Sequence, residues 1–203
     1  MVLELRPAHD PTKAYGFVGV VTSLKDLSSS IWLWHKASGS FNGKFEIKKV
    51  IEIPAEAADP AQLPPLLQGF KAVPPLLTDI NLSVDDRFLY ASCWGTGEMR
   101  QLDVSDPFHP KLAGSVHIGG IVRQTPHPSK PNQALNGGPQ MVELSRDGRR
   151  VFFTDSLYAA WETVLSGGFR GWMVKFYRVL RTRHPRGGGV CGSEAVTYSC
   201  GPF

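Results

Sequence analysis

The chain has 203 residues, 42% of them hydrophobic, with 21 glycines and 16 prolines, a content that fits many short strands joined by turns and excludes a mainly helical protein. Of its net charge of +4, +3 falls in residues 176–203, where Arg178, Arg181, Arg183 and Arg186 stand against Glu194. The preceding part is nearly neutral and carries no basic footprint of the kind nucleic-acid binding needs.

In chain order, Val2, Leu3 and Leu5 already read as a strand in mid-pattern. Gly16–Ser23 is a β-branched run and predicts a buried strand. Ser30–Lys36 alternates, with Trp32 and Trp34 on one face and Ile31, Leu33 and His35 on the other. After a turn cluster over Gly39–Gly43, Phe45, Ile47, Ile51 and Ile53 keep one parity through Lys44–Pro54. The three strands from Gly16 to Pro54 make a blade-sized antiparallel unit. Pro54–Pro75 is too rich in proline for a regular strand or long helix, and Leu63, Leu66, Leu67 and Phe70 predict an ordered excursion, not a flexible linker. Thr78–Gly120 reads as a second unit, with strands near Ile80–Ser83, Phe88–Trp94, Glu98–Val104 and Lys111–Ile118. Val122–Gly138 reads as a polar loop. A third unit follows, with Met141–Leu144, an Asp147-Gly148 turn, Val151–Ser156 and a strand over Arg170–Lys175.

Two of these units share a turn. Leu82-Ser83-Val84-Asp85-Asp86-Arg87-Phe88-Leu89-Tyr90 returns 62 positions later as Leu144-Ser145-Arg146-Asp147-Gly148-Arg149-Arg150-Val151-Phe152. A β-unit recurring at that scale is the signature of a propeller blade. The expected fold is all-β, a partial β-propeller of about three blades over residues 1–175, too few to close a ring. Residues 176–203 lose the alternation and carry a Gly187-Gly188-Gly189 run, and are expected to form an irregular, disordered or out-of-frame tail.

Several segments, in order, resemble the selenium-binding protein family. They are Arg6-Pro7-Ala8-His9-Asp10-Pro11 with Gly16-Phe17-Val18-Gly19, then Thr78-Asp79-Ile80 with the first turn repeat, then Arg100-Gln101 through Asp106-Pro107, then Gly137-Gly138-Pro139-Gln140-Met141, and Ser156-Leu157-Tyr158 with Ala160-Trp161. The resemblance implies a seven-bladed propeller of more than twice this length, of which this chain is the C-terminal portion. It also implies a copper-associated oxidoreductase of the methanethiol oxidase type, converting methanethiol, oxygen and water to formaldehyde, hydrogen sulfide and hydrogen peroxide. The family's paired histidines and selenium-linked cysteine belong to the N-terminal part, so no selenium site is expected here. The missing N-terminal blades, or self-association, would cover the open edges. The family's Gly-Gly-Asp-Cys-Ser-Ser-like ending is not matched by Gly189-Val190-Cys191-Gly192-Ser193.

Copper needs imidazoles, usually two or three at an oxygen-reactive site. His9, His35, His109, His117, His127 and His184 show no i, i+2 or i, i+4 spacing, so any site must be assembled between units. His9, in the matching segment, is the candidate metal ligand; the alternative is a turn cap beside Asp10-Pro11. His35 reads as a packing residue, His109 as surface and His117 as a satisfied core histidine. Asp79 and Asp155, each after a threonine, read as carboxylates that bind backbone amides and pin a blade, or that orient a metal-bound imidazole. The tryptophans read as packing between blades. No catalytic residue is assigned. Cys93, Cys191 and Cys200 show no zinc or CxxC spacing, and Cys93 reads as a buried hydrophobe. No run approaches the roughly 18 apolar residues of a membrane helix. No signal peptide is visible, and the compartment, cytoplasmic or periplasmic, stays open. Beside the thiol oxidase, two readings remain: a non-enzymatic selenium- or thiol-binding propeller, and a metal-dependent lactonase-like hydrolase.

Overall fold

Short strands bounded by tight turns dominate the chain in a computed structural model. It describes residues 1–37, 43–127, 130–135, 137–154, 175–178 and 196–199. Strands β1 (Val2–Pro7), β2 (Tyr15–Val20), β3 (Ser29–Lys36) and β4 (Phe45–Ile53) form one four-stranded antiparallel meander. Two short strands, β5 (Glu56–Ala57) and β6 (Ala72–Val73), pair across the proline-rich excursion. A second four-stranded meander comprises β7 (Leu77–Leu82), β8 (Phe88–Cys93), β9 (Glu98–Asp103) and β10 (Lys111–His117). Then come three pairs: β11 (Thr125–His127) with β12 (Lys130–Leu135), β13 (Val142–Leu144) with β14 (Val151–Phe153), and β15 (Lys175–Arg178) with β16 (Val196–Ser199).

The architecture is all-β with almost no helix. In the excursion the only helical turns among the described residues are Pro60–Gln62 and Pro65–Gln68. Leu63 and Leu67 are buried there with Val21, Leu27, Val73, Leu76 and Trp94, so the segment is packed in place, while Leu66 and Phe70 point to solvent.

Successive sheets pack face to face. Phe17, Ile31, Leu33 and Ile53 of the first sheet meet Ile80, Leu82, Leu89, Ala91, Cys93 and Leu102 of the second in one buried cluster. The opposite face of the second sheet, with Tyr90 and Met99, buries Leu135, Val142, Val151 and Phe153. The second sheet is thus sandwiched. The first strands of the three units, β1, β7 and β13, lie next to one another.

Four readings change. The first unit has four strands, because Val2–Pro7 completes it. The single parity expected for β4 breaks: Ile31 pairs with Ile51 but Trp32 with Lys49, so Val50 is an extra residue. A bulge of this kind moves the flanking side chains to opposite faces. Ile53 therefore enters the core, while Phe45 and Ile47 turn outward at 54% and 71% exposure. There they join Val2, Leu5, Val18, Trp32 and Trp34 on the face of the first sheet turned away from the second. The loop expected over Val122–Gly138 contains the β11–β12 pair, which tolerates Pro126 and Pro131 because a two-stranded ribbon has a free edge on each strand. The tail expected to be irregular holds the β15–β16 pair, built partly from the β-forming run Val196-Thr197-Tyr198-Ser199. The expected strand over Arg170–Lys175 lies outside the described residues except for Lys175, where β15 begins beside β14.

The Gly137-Gly138-Pro139 segment is a packing device. A Cβ on Gly138 would lie 2.2 Å from the Trp94 carbonyl oxygen. Gly97, at φ 69°, likewise admits the backbone of Gly119, whose oxygen would be 1.8 Å from a Cβ. Gly138→Ala is therefore expected to destabilise the chain by about 1–3 kcal/mol in urea unfolding. Gly114→Ala, whose methyl would meet nothing within 4 Å, should change stability by less than about 0.5 kcal/mol. Equal stabilities for the two variants would refute this account.

Candidate functional site

Candidate functional side chains gather where β1, β7 and β13 adjoin. A bulge at Thr78 sets the geometry: Leu77 pairs with Cys93, but Asp79 pairs with Ser92. The extra residue keeps Leu77 and Ile80 in the core against the first sheet and turns Asp79 toward β13. The Thr78 hydroxyl donates to the Gln140 carbonyl at 3.0 Å. Asp79 is 1% exposed, and its Oδ2 accepts the Val142 amide at 2.6 Å. The Asn81 amide group donates to the Val142 carbonyl at 3.1 Å. From the other side, Arg6 Nε donates to the Ile80 carbonyl at 2.8 Å and Nη2 lies 3.6 Å from Asp79 Oδ1. The first strands of the first two units, β1 and β7, thus each hand a side chain to the backbone of the next unit.

Asp79 and Arg6 border a cleft of about 150 Å³ whose far wall includes Met141, Val142, Phe153 and Thr154. Asp79 Oδ1 has no hydrogen-bond partner among the described residues. Burial pushes the Asp79 carboxyl up to about 6, against the pull of the Val142 amide and the Arg6 guanidinium.

A second cluster closes one end of these strands. His9 lies in the β1–β2 connection and Asp86 in the β7–β8 turn. Asp86 Oδ1 accepts the His9 amide at 2.8 Å and faces His9 Nδ1 at 2.8 Å; Oδ2 accepts the Asp10 amide at 3.1 Å. Lys13 Nζ stands 3.7 Å away. The Asp86 side chain is 2% exposed, whereas the His9 ring is half-exposed. Burial pushes the Asp86 carboxyl up, but the His9 amide, the His9 ring and the Asp10 amide together outweigh it and hold the group below its ordinary value.

The other expected residues lie apart. His35 packs its ring on Phe108, centroids 4.8 Å apart, with Nε2 4.0 Å from Glu46. His109 is exposed and pairs with Asp106 at 2.8 Å. His117 is not a satisfied core histidine: its Nδ1 is buried without a hydrogen-bond partner among the described residues. Asp155, Cys191, Cys200, His184, Trp161 and Trp172 lie outside the described residues. Cys93 is fully buried and its thiol is pushed up to about 12, which leaves it in the unreactive form. Trp94 is buried beneath the excursion, and Trp34 meets Phe45 edge to face on the outward face.

Copper, the metal the resemblance implies, fits only in part. Among the described residues no three His, Cys, Asp or Glu side chains converge as a metal-binding group. His9, backed by a carboxylate, has the form of one ligand. Arg6 and Asp86 are candidate site residues that the sequence reading passed over. Asp86 carried a signal, since it occupies the turn position where the repeat has Gly148.

The family model described as the 56 kDa selenium binding protein matches residues 1–179. The chain belongs to this family. Methanethiol oxidase of Homo sapiens is 40% identical over 175 residues, which cover 79% of this chain and 34% of that protein. Selenium-binding protein 2 of Mus musculus is 39% identical over the same length. The X-ray structure of a hypothetical selenium-binding protein from Sulfolobus tokodaii superposes with a TM-score of 0.82 at 48% identity, covering 98% of this chain and 42% of that one. This selenium-binding family member therefore spans about a third of the length of the curated relatives it matches.

An acid whose folded value is raised holds its proton more tightly in the folded chain. Asp79 therefore favours folding below its unfolded value of 3.8, and that contribution is lost as pH rises toward about 6. The neutral isostere Asp79→Asn removes the effect. The stability of wild type relative to Asp79→Asn should fall by on the order of 1–3 kcal/mol between about pH 4 and pH 7, measured by urea unfolding. A difference that does not change with pH would contradict it.

Proposed function

We propose that the chain forms consecutive blades of a β-propeller, and that the chemistry of the completed ring is oxidation of a small thiol such as methanethiol. The observation carrying the ring is the lateral stacking of sheets with β1, β7 and β13 side by side. The chemistry is supported by relatives named methanethiol oxidase at about 40% identity. The reaction takes methanethiol, oxygen and water to formaldehyde, hydrogen sulfide and hydrogen peroxide. His9 would supply one copper ligand, with the others from outside the described residues. A non-enzymatic role in selenium or thiol capture is the second reading, favoured by the name of the mouse relative, selenium-binding protein 2.

The outward face of the first sheet bears on the same proposal. Val2, Leu5, Phe45 and Ile47 are each more than half exposed, beside Trp32 and Trp34. A face of that composition is covered in an assembled ring by a preceding sheet, or here by another copy. Size-exclusion chromatography of the 203-residue chain should therefore show oligomers, and Ile47→Glu should shift them toward smaller species. A monomer with one cooperative unfolding transition would overturn the partial-ring reading.

Activity is tested by grafting. Residues 1–175 of this chain, substituted for the matching segment of human methanethiol oxidase, should retain stoichiometric copper and methanethiol-dependent oxygen uptake, with formaldehyde and hydrogen sulfide released. The 203-residue chain alone should show no turnover. A folded graft that takes up copper but consumes no oxygen would favour capture over oxidation.

A further inference from the structure

The two repeated turns differ at the residue after Asp85 and Asp147, and that difference has a use. In both, the serine amide bonds across the turn, Ser83 to Phe88 at 2.7 Å and Ser145 to Arg150 at 3.0 Å. In both, the serine hydroxyl donates to the aspartate two residues on, Asp85 or Asp147, at 2.5 Å. In both, it accepts the amide five residues on, Phe88 at 2.8 Å and Arg150 at 3.0 Å. The residue after that aspartate takes a left-handed conformation, Asp86 at φ 56° and Gly148 at φ 65°. Glycine meets this demand without strain, and an L-residue does so only at a cost. The turn itself therefore does not call for Asp86.

The carboxylate of Asp86 points back to the neighbouring sheet, where it accepts the His9 and Asp10 amides and meets the His9 ring at Nδ1. A carboxylate only accepts, so Nδ1 must carry the hydrogen. In the neutral ring the lone pair then belongs to Nε2, which has no partner among the described residues. We infer that Asp86 is a positioning residue for His9, fixing the Nδ1–H tautomer and leaving Nε2 as the donor atom for a copper ion. This rests on the reading of His9 as a ligand proposed above. A buried carboxylate behind a half-exposed imidazole is the arrangement that sets ring orientation and ligand basicity at metal centres.

Nitrogen-15 NMR of the metal-free full chain at alkaline pH, where the ring is neutral, tests the inference. Wild type should show His9 with Nδ1 protonated and Nε2 bare. Asp86→Gly, which copies the partner turn, should keep the fold and shift His9 toward the Nε2–H tautomer that free imidazoles favour. If the glycine variant does not fold, the wild-type spectrum decides alone, because Nδ1–H is the tautomer that a carboxylate at Nδ1 imposes. A wild-type ring protonated at Nε2, or a tautomer unchanged in the folded glycine variant, would overturn the assignment. Copper(II) titration of the same samples separates the two readings. Loss of Asp86 should weaken binding about ten- to hundredfold, and equal affinity in variant and wild type counts against positioning. Failure of wild type to bind copper removes the ligand reading of His9 while the NMR result still decides the tautomer.

Discussion

Cohesion between units depends on side chains reaching across to a neighbour's backbone. Within each four-stranded sheet, backbone hydrogen bonds join the strands. Between sheets there is no continuous ladder. What joins them is apolar burial, which is strong but indifferent to register, and a few polar pins that are not. Arg6 on the Ile80 carbonyl, Asp79 on the Val142 amide and Asn81 on the Val142 carbonyl fix β1, β7 and β13 in depth and rotation. Asp86 does the same at the strand ends through the His9 and Asp10 amides. Removing such an acceptor leaves a buried N–H without a partner, which costs about 1–3 kcal/mol.

Two of the buried carboxylates, Asp79 and Asp86, serve this design under opposite electrostatic balances. Asp79 has one amide on Oδ2 and a guanidinium held off at 3.6 Å, so desolvation prevails and the group is easily protonated. Asp86 has two amides and an imidazole in contact, so hydrogen bonding prevails and the charge is retained. The difference follows from the number of donors that each turn or bulge brings within reach. It makes Asp86 a fixed anion behind His9, and Asp79 a group whose charge depends on the proton supply in its cleft.

Much of this was legible from local pattern. The strands of the second unit lie within about three residues of where alternation and turn chemistry put them, because Leu89, Ala91, Cys93 and Leu102 keep strict parity into one core. Parity failed where a bulge intervenes: Val50 flips β4, and nothing in Phe45-Glu46-Ile47 distinguishes outward from inward apolar residues before the pairing is known. The β11–β12 pair was hidden by Pro126 and Pro131, which remove the donors by which a strand is usually recognised. Asp79 stood out beside Thr78, but its partner amide is 63 positions away and could not be read locally. His9 stood out by its segment. That it is held by Asp86, 77 positions on, is a tertiary fact.

The turn repeat shows how such a fact can still leave a trace. Copies of one structural unit share the same local demands, so a residue that satisfies the local demand less well than its counterpart must answer to something outside the turn. Gly148 satisfies the left-handed position without strain; Asp86 does not, and its carboxylate is spent entirely on the adjacent sheet. By the same comparison, Ser83 and Ser145 with Asp85 and Asp147 answer only to the turn, since each is accounted for by bonds inside it. Differences between repeats, more than their likeness, therefore separate the residues that build a unit from those that join it to its neighbours and to its chemistry.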